Sequence, residues 1–271
     1  MILGGRQAGA RPLTPAPAWP REAWAEPGPN CWTRARRKSF PGRRWKAGAS
    51  NIIPARRRST CVSKPASQRR SDRGRSACAL PTTTVHLCID MQRMFVEDTE
   101  WRTPWAERVM PVLVKLCEAK ADRTVFTRFI PAARVGEGQG TWRDYWRRWS
   151  SMALEAMGSS MVDLAGPLQR FTPPGRLIDK KVYSPWLGTG LDAELRAHGV
   201  DTLVVTGAET DVCVLAAVLG AIDLGYRVVV VTDAVCSSAD DPHDHLLALY
   251  HDRFAQQVET AECAEVLDGW R

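Results

Sequence analysis

The chain has 271 residues, of which 44% are hydrophobic and 25% charged, the composition of an ordinary soluble globular protein. No run of 18 apolar residues occurs, so a membrane-spanning helix is not expected. Residues 1–80 carry 18 Lys/Arg and 3 Asp/Glu, whereas the remaining residues carry 19 and 27. A basic N-terminal segment therefore precedes an acidic domain, and the formal net charge of +7 does not indicate a nucleic-acid-binding fold.

The N-terminal segment, residues 1–82, is rich in Arg, Pro and Ser and shows neither a strand nor a helix period. Such a composition cannot bury enough apolar surface to offset its ordering entropy, which predicts a disordered tail. Three interpretations remain open: an inert or mis-assigned start, a targeting segment, or a basic arm that contacts nucleic acid. Contact with nucleic acid is the less favoured of these.

The eight cysteines form no Cys-x-x-Cys pair and no Cys/His spacing typical of zinc. The start of the chain lacks the continuous apolar run of a secretory signal. These features favour free thiols in a reducing compartment, and hence a cytoplasmic protein without a bound metal or cofactor.

From residue 83 to the end at residue 271, short apolar runs alternate with helical patterns. The predicted strands are 85–90, 124–129, 176–180, 201–207, 227–233 and 256–259. The predicted helices are 104–122, 191–199, 211–225 and 241–255, with a less certain aromatic helix over 140–158. This alternation predicts one α/β domain, a three-layer sandwich around a mainly parallel sheet of six strands. The aromatic residues of the 140–158 stretch are expected mostly to face the core, with one or two lining a pocket: Trp142, Tyr145, Trp146 and Trp149.

Three chemically capable residues fall at the carboxyl ends of predicted strands, where open parallel sheets bind ligands. Asp90 ends the first strand, Lys180 ends the third, and Cys213 opens the helix after the fourth. Taken singly, each residue type has an ordinary explanation: a helix cap, a solvated surface charge and a small buried hydrophobe. Together they supply a base, a cation and a nucleophile.

The position of Cys213 at a helix N-terminus favours a reactive thiolate, because backbone N–H groups and the helix dipole stabilise negative charge there. A neighbouring ammonium would add to this, and a carboxylate could accept the proton. Cys88 and Cys117 are interpreted as core residues. Cys236 follows the fifth strand at the edge where ligands are expected, but we do not assign it a contact with the substrate.

Three sequence blocks, HLCIDMQRMFV, DKKVYSPW and VVTGAETDVCVLAAVLGAIDLGYRVVVVTDAVCSS, resemble the signature blocks of the isochorismatase-like cysteine hydrolase superfamily. The resemblance covers roughly residues 84–271. It implies a Rossmann-like three-layer fold with six parallel strands. It also implies a general base in Asp90, a cation in Lys180 and a nucleophile in Cys213.

The same resemblance implies a non-proline cis peptide between Ala208 and Glu209. There the N–H groups of Glu209 and Cys213 would form an oxyanion hole, and Thr210 would hold the turn by hydrogen bonds. We expect four residues to surround the substrate: Gln92, Phe95, Trp142 and Trp186.

The sequence departs from the superfamily at several positions. Glu209 stands where relatives often have a small residue, and Trp186 stands where Phe is common. Residues 130–160 contain no histidine, so the metal site of nicotinamidases is not expected. His243 is interpreted as a surface or capping residue of the last predicted helix.

These features predict a hydrolase that cleaves a small-molecule C–N bond, in an amide or N-carbamoyl compound, through a thioester. Two alternatives remain: hydrolysis of a vinyl ether, as in isochorismatase, and a catalytically silent scaffold. The resemblance implies a homo-oligomer, a dimer or a tetramer. A small-molecule substrate is the expected partner, with no membrane involved.

Overall fold

The structure, a computed structural model, describes residues 79–270. The predicted tail, residues 1–82, lies almost entirely outside this range. Its last residues belong to the folded domain, because Leu80 is buried and its N–H donates to the carbonyl of Gly269. Every helix within the described range is too short or too polar to span a bilayer.

Six parallel strands form one sheet in the order β3-β2-β1-β4-β5-β6. The strands are β1 Thr84–Ile89, β2 Thr124–Phe129, β3 Arg176–Lys180, β4 Thr202–Ala208, β5 Arg227–Cys236 and β6 Val258–Ala261. Each lies within three residues of its predicted bounds, so the predicted α/β fold is confirmed. The continuous apolar runs of β4 and β5 lie at the centre of the sheet, where both faces are covered.

Nine α-helices lie within residues 79–270. They are α1 Arg93–Val96, α2 Ala106–Lys120, α3 Trp142–Arg148, α4 Leu154–Met157, α5 Gly166–Gln169, α6 Leu191–Ala197, α7 Leu215–Asp223, α8 Asp240–Asp252 and α9 Cys263–Gly269. Helices α2, α5 and α9 pack on one face of the sheet and α6, α7 and α8 on the other. Successive side chains of β4 point to opposite faces of the sheet. Val204 packs on the α2 side, and Leu203 and Val205 pack on the α7 side. Cys88 and Cys117 are fully buried on the α2 side, as predicted.

The aromatic helix predicted over 140–158 is much shorter than expected. Helix α3 ends at Arg148, because Trp149 leaves helical geometry (φ −104°, ψ 51°). Ser150 and Ser151 follow, residue types that compete for backbone hydrogen bonds and disfavour helix interiors. The chain then continues in short turns, which bring several aromatic rings together instead of spacing them along one helix.

The strand order reverses direction between β1 and β4. From β1 the chain proceeds outward through β2 and β3, and from β4 it proceeds the other way through β5 and β6. The loops after these two central strands run in opposite directions. They therefore leave a crevice between them at the carboxyl ends of the strands. The fold thus places Asp90 and the turn that contains Cys213 on either side of that crevice.

Candidate active site

Asp90, Lys180 and Cys213 meet at the carboxyl edge of the sheet. Lys180 Nζ lies 2.6 Å from Asp90 Oδ2 and donates to Cys213 Sγ at 3.4 Å. The side chains of the ion pair are fully buried, and Cys213 is 6% exposed. The structure therefore brings together a carboxylate, an ammonium and a thiol whose positions span more than 100 residues of the sequence.

The backbone turns sharply at Asp90, which has a φ of 47°. Aspartate tolerates this left-handed conformation better than most residues do. Thr127 of β2 fixes the side chain, since its hydroxyl donates to Asp90 Oδ1 at 2.6 Å and accepts from the Asp90 N–H at 3.1 Å. The other carboxylate oxygen is left for the ammonium of Lys180.

Lys180 reaches the site across the end of β2. Its ammonium lies 5.2 Å from the centre of the Phe129 ring and donates to the carbonyl of Val182 at 3.2 Å. Burial acts to lower the pKa of Lys180, but the charge of Asp90 and the contact with Cys213 outweigh it and raise the pKa. Lys180 therefore stays a cation inside the protein.

Cys213 lies in a turn of π-helix, Thr210–Val214, that leads from β4 into α7. The Ala208–Glu209 peptide just before this turn is cis, at the position that the resemblance indicates. Burial raises the pKa of the Cys213 thiol well above its usual value, and the charge of Asp90 adds to this effect. Lys180 acts in the opposite direction but does not prevail. The raised pKa therefore favours the protonated thiol at rest, against the stabilisation that the helix N-terminus was expected to give a thiolate.

Helix α8 supports the turn through a buried histidine. His243 is 5% exposed, and its Nδ1 lies 2.9 Å from the Thr210 hydroxyl. The imidazole also packs against the ring of Trp105, with centroids 5.4 Å apart. The interpretation of His243 as a surface or capping residue is therefore wrong, because its side chain faces the Cys213 turn rather than solvent.

A cavity of about 260 Å³ opens above Cys213. Six aromatic rings, which we call the aromatic wall, surround it: Phe95, Trp101, Phe129, Tyr145, Trp149 and Tyr183. Glu100, Glu209, Val212 and Ser238 complete the lining. Trp101 is the centre of the wall, stacked on Phe95 at 5.9 Å and packed against the indole of Trp149 at the same distance. The cavity is thus a mainly apolar pocket whose floor holds the thiol.

Two of the four expected substrate contacts need correction, because their polar atoms are engaged elsewhere. The amide of Gln92 bonds to both the N–H and the carbonyl of Phe129 and to the carbonyl of Val162. The indole N–H of Trp186 donates to Ala217 at 2.9 Å, and the ring stacks on Tyr226. Gln92 thus holds the end of β2 in place, and Trp186 fixes the β3–α6 loop to α7.

The other two expected contacts lie in or next to the wall. Phe95 lines the cavity itself. Trp142 is outside the lining and packs behind it, 4.9 Å from the ring of Tyr183. Cys236 is fully buried with its sulfur near the Gly207 carbonyl, away from the cavity.

Several lining residues were missed by sequence reasoning. Glu100 and Trp101 lie in an irregular loop with no periodic pattern. Ser238 ends the third block that carries the resemblance, but the resemblance assigns it no role. Tyr183 could have been predicted as a lining residue, because it stands three residues after Lys180 in a block that carries the resemblance. Among residues 79–270, no group of three or more His, Cys, Asp or Glu side chains is arranged to hold a metal ion.

Comparison with protein-family models matches residues 84–262 to the isochorismatase domain. The chain belongs to the isochorismatase family. This is a family of hydrolases, and its match covers all six strands and all three residues of the buried site.

Three isochorismatase-family comparisons illustrate how far the similarity extends. An uncharacterized family protein, YwoC of Bacillus subtilis, is 32% identical over 88 residues, which are 32% of this chain and 47% of YwoC, so the chain spans about half the length of that relative. A probable inactive nicotinamidase of Arabidopsis thaliana is 26% identical over 59% of this chain and 84% of its own. The crystal structure of a cysteine hydrolase from Pseudomonas syringae has a TM-score of 0.60 at 25% identity, covering 69% of this chain and 92% of its own.

Proposed function

We propose that this isochorismatase-family protein is a cysteine hydrolase that cleaves a C–N bond in a small amide or N-carbamoyl compound through a thioester. The observation that carries the proposal is the buried contact of Lys180 with Asp90 at 2.6 Å and with Cys213 at 3.4 Å, beneath a cavity that exposes the sulfur. A nucleophile, a proton acceptor and a fixed cation within one small volume are the groups that acyl transfer requires.

The first half-reaction forms the thioester. Asp90 accepts the proton of the Cys213 thiol as the sulfur attacks the carbonyl carbon, and the carbonyl oxygen becomes an oxyanion. The proton is removed only as the new bond forms, since the resting thiol is neutral. The tetrahedral intermediate then expels the nitrogen, which leaves as ammonia or an amine with the proton from Asp90.

The second half-reaction restores the enzyme. Water attacks the thioester carbonyl while Asp90 accepts one of its protons, and collapse of the intermediate breaks the C–S bond. The departing sulfur takes the proton back from Asp90, and the acid product leaves. Lys180 holds a positive charge beside the sulfur throughout, which stabilises the negative charge that the sulfur gains as it departs.

The backbone N–H groups of Glu209 and Cys213 are the proposed oxyanion hole. Both belong to the turn that begins with the cis peptide, and Cys213 itself lines the cavity. Donors of this kind typically contribute about 10²–10³ to the rate when they are fixed in advance. The hydrogen bond between His243 Nδ1 and the Thr210 hydroxyl supports this arrangement, because it ties the turn to α8 through residues outside the cavity lining.

The charge of the cavity argues against the vinyl-ether alternative. Isochorismate is a dicarboxylate, whereas the titratable groups that line this cavity are two glutamates, two tyrosines and the thiol, with no Lys, Arg or His among the lining residues that the structure describes. A dianion would meet Glu100 and Glu209 on the walls. The presence of the thiol also favours covalent chemistry, which vinyl-ether hydrolysis does not need.

A screen of primary amides and N-carbamoyl compounds for ammonia release tests the proposal. We expect turnover by the full-length protein and its loss in Cys213→Ala, with activity retained in Cys236→Ala, which removes an equally buried thiol outside the cavity. Acid quenching during turnover should trap an acyl adduct, and peptide mass spectrometry should locate it on Cys213.

Three results would overturn the proposal. Turnover that persists in Cys213→Ala would exclude the thioester route. Failure of every amide and N-carbamoyl compound, with turnover of isochorismate, would assign the protein to the vinyl-ether alternative. If neither reaction occurs, the silent-scaffold alternative replaces the proposal; the Arabidopsis thaliana relative is itself named a probable inactive nicotinamidase.

A further inference from the structure

The wall of the cavity has a chemical character that the proposed reaction does not require. Amide hydrolysis needs the thiol, its partners and an oxyanion hole, but it does not need six aromatic rings or a glutamate beside the nucleophile. Glu209 comes from the Cys213 turn and Glu100 from the loop before Trp101, so two carboxylates reach the same small pocket from different parts of the chain.

No cation of residues 79–270 neutralises either carboxylate. Glu209 accepts a hydrogen bond from the N–H of Ser238 at 3.2 Å, and Glu100 accepts one from the Ser151 hydroxyl. Within residues 79–270, no Lys, Arg or His forms an ion pair with either glutamate. Glu209 is half-buried, and burial raises its pKa. A cation that enters the cavity would favour the charged form of this carboxyl, and the attraction between them would be less screened than at the surface.

The cations near the aromatic wall do not cancel these charges. Lys180 lies below Phe129, but it already forms its ion pair with Asp90 at 2.6 Å. Arg148 is exposed and stacks on Trp149, 4.5 Å from the ring centroid, without belonging to the cavity lining. The pocket itself therefore presents negative charge and the electron-rich faces of aromatic rings.

We infer that the cavity binds a positively charged group of the substrate, so that the amide it hydrolyses belongs to a small ammonium or quaternary ammonium compound. Several aromatic rings around a carboxylate are the arrangement that recognises such groups, because ring faces and carboxylates both attract a cation that has lost its water. Tyr145 and Tyr183 remain neutral members of this arrangement, since burial raises the pKa of each. The inference rests on the proposed function for the chemistry, but not for the binding.

The first experiment measures charge preference in turnover. A trimethylammonium-substituted butanamide, its neutral tert-butyl isostere and the analogue that ends in a carboxylate have the same reacting amide and nearly the same shape. We expect kcat/KM of the full-length protein to be about tenfold higher for the cation than for the neutral isostere, and lowest for the anion. Equal values for cation and isostere, or a preference for the anion, would overturn the inference while leaving the hydrolase proposal intact.

Variants show which groups produce the preference. Glu209→Gln keeps the shape of the side chain and removes its charge, so the ratio of kcat/KM for cation over isostere should fall about tenfold. Glu118→Gln is the matched control, because Glu118 is exposed on α2 and lies outside the cavity lining; it should leave the ratio unchanged. A ratio that stays constant in Glu209→Gln would show that the charge of this glutamate does not contribute to the preference for the cationic substrate.

A binding experiment separates this inference from the proposed reaction. Choline and its tert-butyl isostere, dimethylbutanol, are titrated against the tryptophan fluorescence of the full-length protein, since Trp101 and Trp149 line the cavity. Choline should bind at least about tenfold more tightly than dimethylbutanol, and Glu209→Gln should abolish the difference. Tighter binding of choline without any amide turnover would support the cation site and contradict the hydrolase proposal. Equal binding of both compounds would contradict the cation site.

Discussion

Lys180 and Asp90 depend on each other for their burial. A charged group without exposed surface is tolerated only when it is paired, because its hydration has been lost. Lys180 has Asp90 Oδ2 at 2.6 Å and the Val182 carbonyl at 3.2 Å, and Thr127 occupies the other carboxylate oxygen. The residues that we assign to catalysis are therefore also part of what holds the carboxyl edge of the sheet together.

Replacing one partner should cost more stability than replacing both. Lys180→Met leaves the Asp90 carboxylate buried and unpaired, so we expect the free energy of unfolding to fall by about 3–5 kcal/mol. The double variant Asp90→Asn with Lys180→Met removes both charges and should recover part of that loss. Urea unfolding of the two single variants and the double variant measures the coupling. Strictly additive losses would show that the ion pair contributes nothing to folding.

At the scale of elements, the π-helical turn after β4 is held from two directions. Helix α8 contacts it through His243, and α7 continues from it. The turn carries the nucleophile and the proposed oxyanion hole, so the position of α8 bears on catalysis although α8 contributes no residue to the cavity lining.

His243 is therefore expected to act as a positioning residue. His243→Leu removes the hydrogen bond to Thr210 and should lower kcat about tenfold or more, with a smaller effect on KM, because it disturbs groups that matter mainly in the transition state. His243→Gln, which retains a polar group at this place, should recover part of kcat. His245→Leu is the control, since His245 is exposed on the same helix. Equal losses in the Leu and Gln variants would indicate a purely steric role.

Helix α7 and the loop after β3 meet at Gly220. A Cβ added there would lie 2.2 Å from Cδ1 of Trp186, well inside contact distance. Gly220→Ala should therefore displace the indole and lower the free energy of unfolding by about 1–3 kcal/mol.

Thermal or urea unfolding measures the effect of Gly220→Ala, and Gly166→Ala provides the control because open space surrounds its added Cβ. Trp186→Leu introduced together with Gly220→Ala should relieve part of the loss. An unchanged stability in Gly220→Ala would contradict the described packing of Trp186.

At the scale of the whole molecule, His86 links stability to pH. It lies in the centre of the sheet between the hydroxyls of Thr124 and Thr206, and burial lowers its pKa from 6.5 to about 3. The unfolded chain binds a proton below pH 6.5 while the folded one does not. Stability is therefore complete above this pH and is lost as the pH falls towards 3.

The loss attributable to His86 should be about 1.4 kcal/mol per pH unit between these limits. Because carboxylates titrate in the same range, the measurement is the difference in slope between the protein and its His86→Gln variant, taken from urea unfolding at several pH values. His245→Gln serves as the control with an exposed histidine. Parallel slopes for the protein and His86→Gln would show that His86 is not the source.

The sequence predicts the fold and the meeting of the three buried site residues for the same reason. Continuous apolar runs identify parallel strands, and parallel strands bring their carboxyl ends to one edge, so Asp90, Lys180 and Cys213 can be placed together without coordinates. No comparable sequence rule predicts which residues line the cavity. Phe95, Trp149 and Glu209 meet because a one-turn helix, the end of the shortened α3 and a turn pack against each other, and that packing has no period in the sequence. Gln92 and Trp186 were misplaced for the same reason, since their amide and indole could bond to several neighbours.

The same burial that keeps Cys213 protonated also shields it from oxidants. Peroxide attacks thiolates much faster than thiols, so a sulfur that is both enclosed and neutral at rest is slow to form sulfenic acid. Exposure to peroxide should therefore oxidise Cys213 only slowly in the resting protein. The proposed turnover should not sensitise the sulfur, because the sulfur bonds to the substrate carbon as its proton moves to Asp90.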